Sequence, residues 1–204
     1  MFIEQPARFL RWIYPHAVWR MDPLSKAVYL TFDDGPIPEA TPFVLETLAR
    51  YGIKATFFMV GENVERHPEL LEEVRRRGHS VGNHTMSHLQ GAHVGTKHYL
   101  HNVFRANELI GSRLFRPPHG LLRWGQSKVL RSRFAIIMYD LVTRDYSRKL
   151  SGEQVLANVK RYARNGSIIV FHDSLKAEKN MKYALPRAIE WLQEQGYQFD
   201  AIPE

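Results

Sequence analysis

The sequence AVYLTFDDGPIPEA, residues 27–40, begins as an apolar run that ends on two adjacent carboxylates, Asp33 and Asp34. Gly35 and Pro36 follow and predict a sharp turn. Neighbouring like charges repel, and removing either from water is costly unless an opposite charge compensates. The stretch therefore predicts a buried strand whose carboxyl end lies beside a positively charged partner.

Around this stretch, short β-rich runs alternate with segments of helical periodicity, the pattern of βα units around a parallel sheet or barrel. Seven strands are predicted, at residues 27–32, 55–60, 80–83, 114–116, 135–139, 167–171 and 198–202. Helices are predicted at residues 41–50, 68–77, 97–110, 127–131, 152–164 and 183–195. No repeat or linker divides the chain, so we expect one domain over residues 1–204, with residues 1–26 as an N-terminal extension packed on or beside the barrel.

The composition limits the available chemistry. The chain has no cysteine, so a metal would need histidine and carboxylate ligands. The net charge of +7 suits an anionic partner, but the basic residues are scattered along the sequence apart from Arg75, Arg76 and Arg77. Nucleic-acid binding would need basic and aromatic residues clustered on one surface, so we do not expect it.

The N-terminal segment mixes basic and aromatic residues. Polar residues interrupt its apolar ones, so no cleavable signal peptide is predicted, and no segment of the chain reaches transmembrane length. We therefore expect a cytoplasmic or cell-envelope-associated protein. Within residues 8–20 the favoured interpretation is a helix that covers the core, and contact with a membrane interface is the alternative.

Ionisable residues follow almost every predicted strand. They are Asp33 and Asp34, His84 and His88, Arg116, Asp140 and Asp145, and His172 and Asp173. The carboxyl ends of parallel strands meet on one face of such a fold. We therefore expect these side chains to share one rim.

His84 and His88 lie four residues apart in NHTMSH, a spacing that places both imidazoles on one side of a helical turn. Alone, the pair could simply be two surface histidines. With a carboxylate from another strand it would complete a set of ligands that leaves a position on zinc open for water. One of Asp33 and Asp34 would then bind the cation, while the other would remain nearby as a base, because successive side chains of a strand point to different sides.

Three further residues have both a catalytic and a structural interpretation. Arg116 in FRPPHG could hold a carboxylate, or be a surface arginine beside a proline turn, and the rigid loop could present a backbone N–H to an oxyanion. Asp145 could orient an imidazole or cap the next segment. His172, at the end of the apolar run SIIVFH, could be a general acid or a structural histidine.

Taken in order, TFDDG, HTMSH, RPPHG, the segment 140–146 and VFH resemble the five motifs of the polysaccharide deacetylases, carbohydrate esterase family four, whose domain is called the NodB-homology domain. The resemblance extends from about residue 28 to the C-terminus. It implies an α/β fold, a distorted (β/α)7 barrel, with a divalent metal, usually Zn²⁺. The implied activity is hydrolysis of N-acetyl groups on a glycan.

The resemblance also implies roles for individual residues. Asp33 would be the catalytic base, paired with Arg116, and His172 would be the general acid, oriented by Asp145. The implied metal ligands are Asp34, His84 and His88. The implied pocket residues are Pro118, His119, Tyr146 and Val170. In the implied reaction Asp33 accepts a proton from water, a backbone N–H near His119 helps to hold the oxyanion, and His172 protonates the departing amine.

Three positions depart from the family pattern. His119 replaces an aromatic residue, Tyr146 replaces a tryptophan, and Val142 stands where an aspartate is frequent. These changes affect the pocket wall and leave the sugar specificity open. We expect a metal-dependent deacetylase that releases acetate from an N-acetylglucosamine-containing glycan, such as peptidoglycan or a chitin-like oligosaccharide. The alternatives are a hydrolase of another C–N amide or an O-acetyl ester on the same barrel, and a catalytically silent glycan-binding module.

Overall fold

The computed structural model describes residues 4–204 without the side chain of Arg8, so the first three residues of the expected extension lie outside it. Within the described residues the strands are β1 (Ala27–Asp33), β2 (Thr56–Met59), β3 (Ser80–Asn83), β4 (Leu114–Phe115), β5 (Ala135–Ile136), β6 (Leu141–Val142), β7 (Ile168–His172) and β8 (Gln198–Phe199). The α-helices are α1 (Arg8–Ile13), α2 (Thr41–Arg50), α3 (Gly61–Arg66), α4 (Pro68–Arg76), α5 (Thr96–Ile110), α6 (Trp124–Leu130), α7 (Gly152–Tyr162) and α8 (Glu178–Glu194).

The sheet is entirely parallel and curls in the order β5-β4-β3-β2-β1-β7-β6, with β8 paired to the start of β1. Seven parallel strands surrounded by helices confirm the expected distorted (β/α)7 barrel. The predicted number of strands is right, but one of the seven predicted strands is not part of the main path of the sheet and one strand of that path was not predicted. The predicted strand at 198–202 is β8, which lies off the main path, whereas β6 was missed because two residues are too short to show an alternating pattern.

Strand β1 lies in the middle of the sheet and is buried over almost its whole length. The Phe32 ring stacks against Phe57 of β2 at 5.1 Å and against Phe171 of β7 at 6.2 Å between centroids. Burying these rings removes a large apolar area from water and stabilises both strand pairings. The resulting register places Asp33 directly beside His172, so packing in the core aligns two of the rim residues.

The longer helices agree with their sequence patterns. Helix α2 has the predicted bounds, and α7 begins after Ser151, whose hydroxyl accepts the Gln154 N–H at 3.3 Å. Helix α8 begins at Glu178, five residues before the prediction, and contains Pro186. Helix α1 occupies only the first part of the segment 8–20, for which a helix was the favoured interpretation. Helix α3 was not predicted, because six residues are too few to show a helical period.

The segment between α1 and β1 packs on the sheet edge beside β5. Val18 pairs with Ile137 in parallel, and Trp19 is buried. Tyr14 is also buried, and its hydroxyl donates to the Leu122 carbonyl at 2.7 Å. None of the helices in the described part of the chain has the length and apolar character needed to cross a bilayer.

Asp140 lies away from the rim, so its predicted placement was wrong. It precedes β6 and lies at the amino end of β7, where the Ser167 hydroxyl donates to its carboxylate at 2.8 Å. Arg164 donates to the same carboxylate at 2.8 Å, and Arg11 of α1 donates to it at 3.0 Å. Asp140 therefore links the N-terminal segment to the opposite end of the sheet.

Candidate metal and catalytic site

Asp33 ends β1 and forms a buried ion pair with Arg116, which follows β4. The Arg116 Nη1 donates to Asp33 Oδ1 at 2.6 Å and to the Thr31 hydroxyl at 2.7 Å, and Nη2 donates to the Met138 carbonyl at 3.0 Å. The guanidinium lies 4.0 Å from the centroid of the Phe58 ring. The two charged side chains are 1% and 8% exposed, so Arg116 is a buried partner of Asp33 rather than a surface arginine.

Asp34 has a left-handed backbone with φ of 80°. Its carboxylate faces His88, whereas that of Asp33 faces Arg116. The next residue, Gly35, donates its N–H to Asp173 Oδ1 at 3.1 Å, and Thr41 donates its hydroxyl to Oδ2 at 2.6 Å. A Cβ at Gly35 would lie 2.1 Å from Asp173 Oδ2, so no side chain fits there. Burial raises the pKa of Asp173 to about 8. The buried Asp173 therefore fixes the loop that carries Asp34.

His84 and His88 follow β3 in a loop, so the expected helical turn is wrong. Thr85 and His88 have φ values of 70° and 52°, and this loop brings the two imidazole centroids to 5.1 Å. The Nε2 atoms of His84 and His88 lie 3.8 and 3.2 Å from Asp34 Oδ1. Burial lowers the pKa of His84 to about 4, so this imidazole is neutral at physiological pH and can act as a ligand.

These residues fit a divalent cation. One ligand atom from each of Asp34, His84 and His88 lies within 4.8 Å of the others. Asp34 Oδ1 is buried, and no group among residues 4–204 forms a hydrogen bond with it. Burial by itself raises the pKa of Asp34, but the imidazoles of His88, His172 and His84 together hold it well below its usual range. An anionic oxygen that lacks a donor and faces imidazole nitrogens is a suitable ligand set for such an ion.

His172 ends β7 and is oriented by Asp145, from the loop after β6. Its Nδ1 lies 2.8 Å from Asp145 Oδ1, and its backbone N–H donates to Oδ2 at 2.8 Å. Burial by itself lowers the pKa of His172, but the Asp145 carboxylate outweighs this effect and raises it to about 9. The side chain is therefore an imidazolium at neutral pH, with Nδ1–H donating to Asp145.

One cavity of about 400 Å³ brings together the two carboxylates, three imidazoles and guanidinium described above, namely Asp33, Asp34, His84, His88, His172 and Arg116, whereas Asp145 and Asp173 lie behind its wall. The predicted pocket residues His119, Tyr146 and Val170 also line it, as does Val142. Pro118 does not line the cavity, because it begins a short 3₁₀ helix (Pro118–Gly120), and Pro117, the residue before that helix, lines the cavity in its place.

The sequence prediction missed Tyr139 and Lys176, which also line the cavity. Tyr139 is the last residue of a predicted strand, so its position at a strand end was an available signal. The Lys176 ammonium lies 5.3 Å from the centroid of the Tyr146 ring, which packs edge-on against His172 at 4.9 Å. No motif marks Lys176, because it lies in a loop with no periodic pattern.

Comparison with known proteins gives consistent results. The family model described as polysaccharide deacetylase matches residues 20–133. A peptidoglycan N-acetylglucosamine deacetylase of Bacillus cereus is 30% identical over 197 residues, which cover 93% of this chain and 92% of the relative. A chitooligosaccharide deacetylase of Sinorhizobium fredii is 31% identical over 211 residues, which cover 94% of this chain and 97% of the relative.

Solved structures share the fold as well. A peptidoglycan N-acetylglucosamine deacetylase in complex with a benzamide ligand superposes with a TM-score of 0.89 at 29% identity, over 95% of this chain and 94% of that one. A CE4 family pseudoenzyme from Bacillus anthracis superposes with a TM-score of 0.84 at 26% identity, over 97% and 71% of the two chains. Similarity of fold therefore does not establish activity by itself, but the match over more than half of the sequence and the extent of identity show that the chain belongs to the polysaccharide deacetylase family.

Proposed function

We propose that this protein is a zinc-dependent hydrolase that removes N-acetyl groups from an N-acetylglucosamine-containing glycan and releases acetate. Peptidoglycan is the favoured glycan, because the first relative described above acts on it and aligns along almost the whole chain. One observation carries the proposal. The adjacent carboxylates have different partners, since Asp33 pairs with Arg116 whereas Asp34 faces His84 and His88.

In this proposal, Asp34, His84 and His88 hold the cation. Zinc is favoured because two imidazoles and one carboxylate are typical ligands of catalytic zinc sites. The His84 Nδ1 lies 2.8 Å from the Arg116 carbonyl, which leaves Nε2 directed toward Asp34. When bound, the cation supplies a Lewis acid that polarises a carbonyl and lowers the pKa of water.

Asp33 acts as the general base. Its Oδ1 is occupied by Arg116, which orients the carboxylate and balances its charge, and Asp33 also lines the cavity. The carboxylate accepts a proton from the attacking water, whose oxygen then forms a bond to the acetamido carbon. A module that only binds a glycan would need neither this base nor the buried guanidinium of Arg116 that orients it.

His172 acts as the general acid on the other side of the acetamido group. Its Nδ1–H donates to Asp145, so Nε2–H is the proton that it can transfer to the departing amine. A backbone N–H near His119 helps to hold the developing oxyanion. Val170 and Tyr146 provide an apolar wall beside these groups, which suits the acetyl methyl.

Acetate release from chitooligosaccharides and from peptidoglycan fragments tests the proposal. We expect a chelator to abolish release and added Zn²⁺ to restore it. Asp33→Asn should lower kcat by roughly 10²- to 10⁴-fold, since it removes the base but preserves the shape of the side chain. Asp200→Asn is the matched control, because Asp200 is an exposed carboxylate away from the cavity.

The same experiment separates the alternatives. Turnover of small amides or acetyl esters alone would favour a hydrolase of a different substrate class. Glycan binding that is unaffected by Asp33→Asn, without any acetate release from the unmodified protein, would refute the enzymatic proposal in favour of a silent module.

A further inference from the structure

Helix α1 has an apolar face that points to solvent. Trp12 is 83% exposed, and Phe9 and Ile13 are each 56% exposed. Their spacing of three and four residues places them on one side of the helix, whereas Leu10 packs against buried residues of the barrel. The core thus accounts for only one side of α1, and three large apolar side chains remain on the exposed side.

A second exposed indole lies across a groove from this face. Trp124, at the start of α6, is 78% exposed, and it borders a cavity of about 280 Å³ together with Trp12 and Ile13. Lys128 and Arg131 line the same groove, and the Lys128 ammonium lies 5.2 Å from the Trp124 ring centroid. No acidic residue lines the groove, and neither cation forms an ion pair with any residue from 4 to 204. We call the surface formed by these residues and Phe9 the basic-aromatic face.

The sequence around the groove contains more cations than carboxylates. Residues 74–139 include eleven lysines and arginines but a single acidic residue, Glu108. These residues comprise the end of α4, where Arg75 and Arg76 lie, followed by β3, α5, β4, α6 and β5, and the three strands form one end of the curled sheet. Five of these cations pair with carboxylates, namely Arg75, Arg76, Arg77, Arg105 and Arg116. Lys128 and Arg131 beside the groove have no ion pair with any residue from 4 to 204, so the groove combines basic and aromatic residues in a way that the sequence alone did not reveal.

We propose that the basic-aromatic face binds the surface of an anionic lipid bilayer. An outward apolar stripe enters the boundary between headgroups and acyl chains, indoles reside at headgroup level, and cations attract the anionic lipids. A second copy of this chain is disfavoured as occupant because it would bring like charges together. A neutral glycan would stack on the indoles but would leave Lys128 and Arg131 without partners, and a nucleic acid would leave the aliphatic side chain of Ile13 uncovered.

Vesicle binding by the full chain tests this inference. We expect the protein to co-sediment with vesicles of equal parts phosphatidylcholine and phosphatidylglycerol, to dissociate as salt is added, and to bind phosphatidylcholine vesicles weakly. Its tryptophan fluorescence should shift to shorter wavelength only with the anionic vesicles. Trp12→Ala with Trp124→Ala, and separately Lys128→Glu with Arg131→Glu, should each weaken binding by roughly tenfold or more.

Controls separate membrane binding from folding and from activity. Leu175→Ala removes a side chain that is 61% exposed outside the groove, and Lys179→Glu changes an exposed charge on α8, so neither should affect vesicle binding. Acetate release from a soluble oligosaccharide should be unchanged in all these variants, because none of the altered side chains is assigned to the reaction. Since this activity is measured without vesicles, failure of the proposed enzymatic function would be recognised independently.

The inference is overturned if the protein binds neither type of vesicle, binds both equally, or binds equally well in the variants and the controls. Retention on insoluble peptidoglycan through the same residues, without vesicle binding, would also overturn it and assign the face to a glycan.

Discussion

Replacing Asp145 by asparagine tests how the fold keeps His172 protonated. The imidazole is 13% exposed, and its Nδ1 lies 2.8 Å from a fully buried Asp145 carboxylate. Burial by itself lowers the pKa of His172, whereas the Asp145 charge raises it from 6.5 to about 9. Without that charge, burial is opposed only by the carboxylates of Asp34 and Asp33, so we expect the pKa of His172 to fall.

The size of the effect follows from the difference between the folded and unfolded pKa values. Each pKa unit corresponds to about 1.4 kcal/mol, so this shift contributes about 3 kcal/mol to the free energy of unfolding. Because the folded-state pKa is the higher one, the contribution is fully present below the unfolded value of 6.5 and is lost as the pH rises through about 9. The advantage of the unmodified protein over Asp145→Asn should decrease across this same window.

Denaturant unfolding at a series of pH values measures this difference, and an NMR titration of His172 gives its pKa directly. Chelated protein is used, because a bound cation would offset the Asp34 charge, which also raises the pKa of His172. Asp200→Asn, at an exposed site, should show no such pH dependence. A stability difference that does not change with pH, or a His172 pKa that stays near 9 in Asp145→Asn, would refute the reasoning.

Three further substitutions test the neighbouring contacts. Arg116→Met should destabilise the fold by about 3–5 kcal/mol in thermal unfolding, since Asp33 stays buried without its partner. Adding Asp33→Asn should recover part of this loss. If the two substitutions instead destabilise the fold by the sum of their separate effects, the ion pair is not the cause. Asp34→Asn should remove the rise in Tm that Zn²⁺ gives the unmodified protein, and a retained rise would exclude Asp34 as a ligand. Asp173→Ala should lower the free energy of unfolding in urea by about 2–4 kcal/mol, because two buried donors, the Gly35 N–H and the Thr41 hydroxyl, lose their acceptor. Asp173→Asn should lower it by less, because the amide oxygen still accepts a hydrogen bond. Equal losses of stability in the two variants would argue against these hydrogen bonds.

Part of the site could be predicted because short motifs report local chemistry. TFDDG at the end of an apolar run indicated a strand with two carboxylates, and HTMSH indicated a pair of imidazoles. The expectation that they share one rim is confirmed for Asp34, His84 and His88, whose ligand atoms come together. The conformation behind that meeting was wrong, because a left-handed loop, not a helical turn, brings the histidines close.

Other features had no local signal. Asp140 was expected to follow a strand, but it precedes the two-residue strand β6 and therefore lies at the opposite end of the sheet. A strand of two residues is too short to show an alternating pattern in the sequence. Lys176 and the groove between Trp12 and Trp124 depend on which loops and helices lie next to each other. Aromatic residues of the N-terminal segment look alike in sequence, yet Tyr14 is buried and Trp12 is exposed.

The amino-acid sequence by itself determined the alternation of strands and helices, the buried strand β1 and the residue types at its carboxyl end, because apolar periodicity and turn chemistry act over a few residues. Only the tertiary structure decided that Asp33 meets Arg116 while Asp34 meets two imidazoles. That choice depends on strand register and on the backbone angle at one residue, through which side chains about 50 to 80 positions apart come within contact distance.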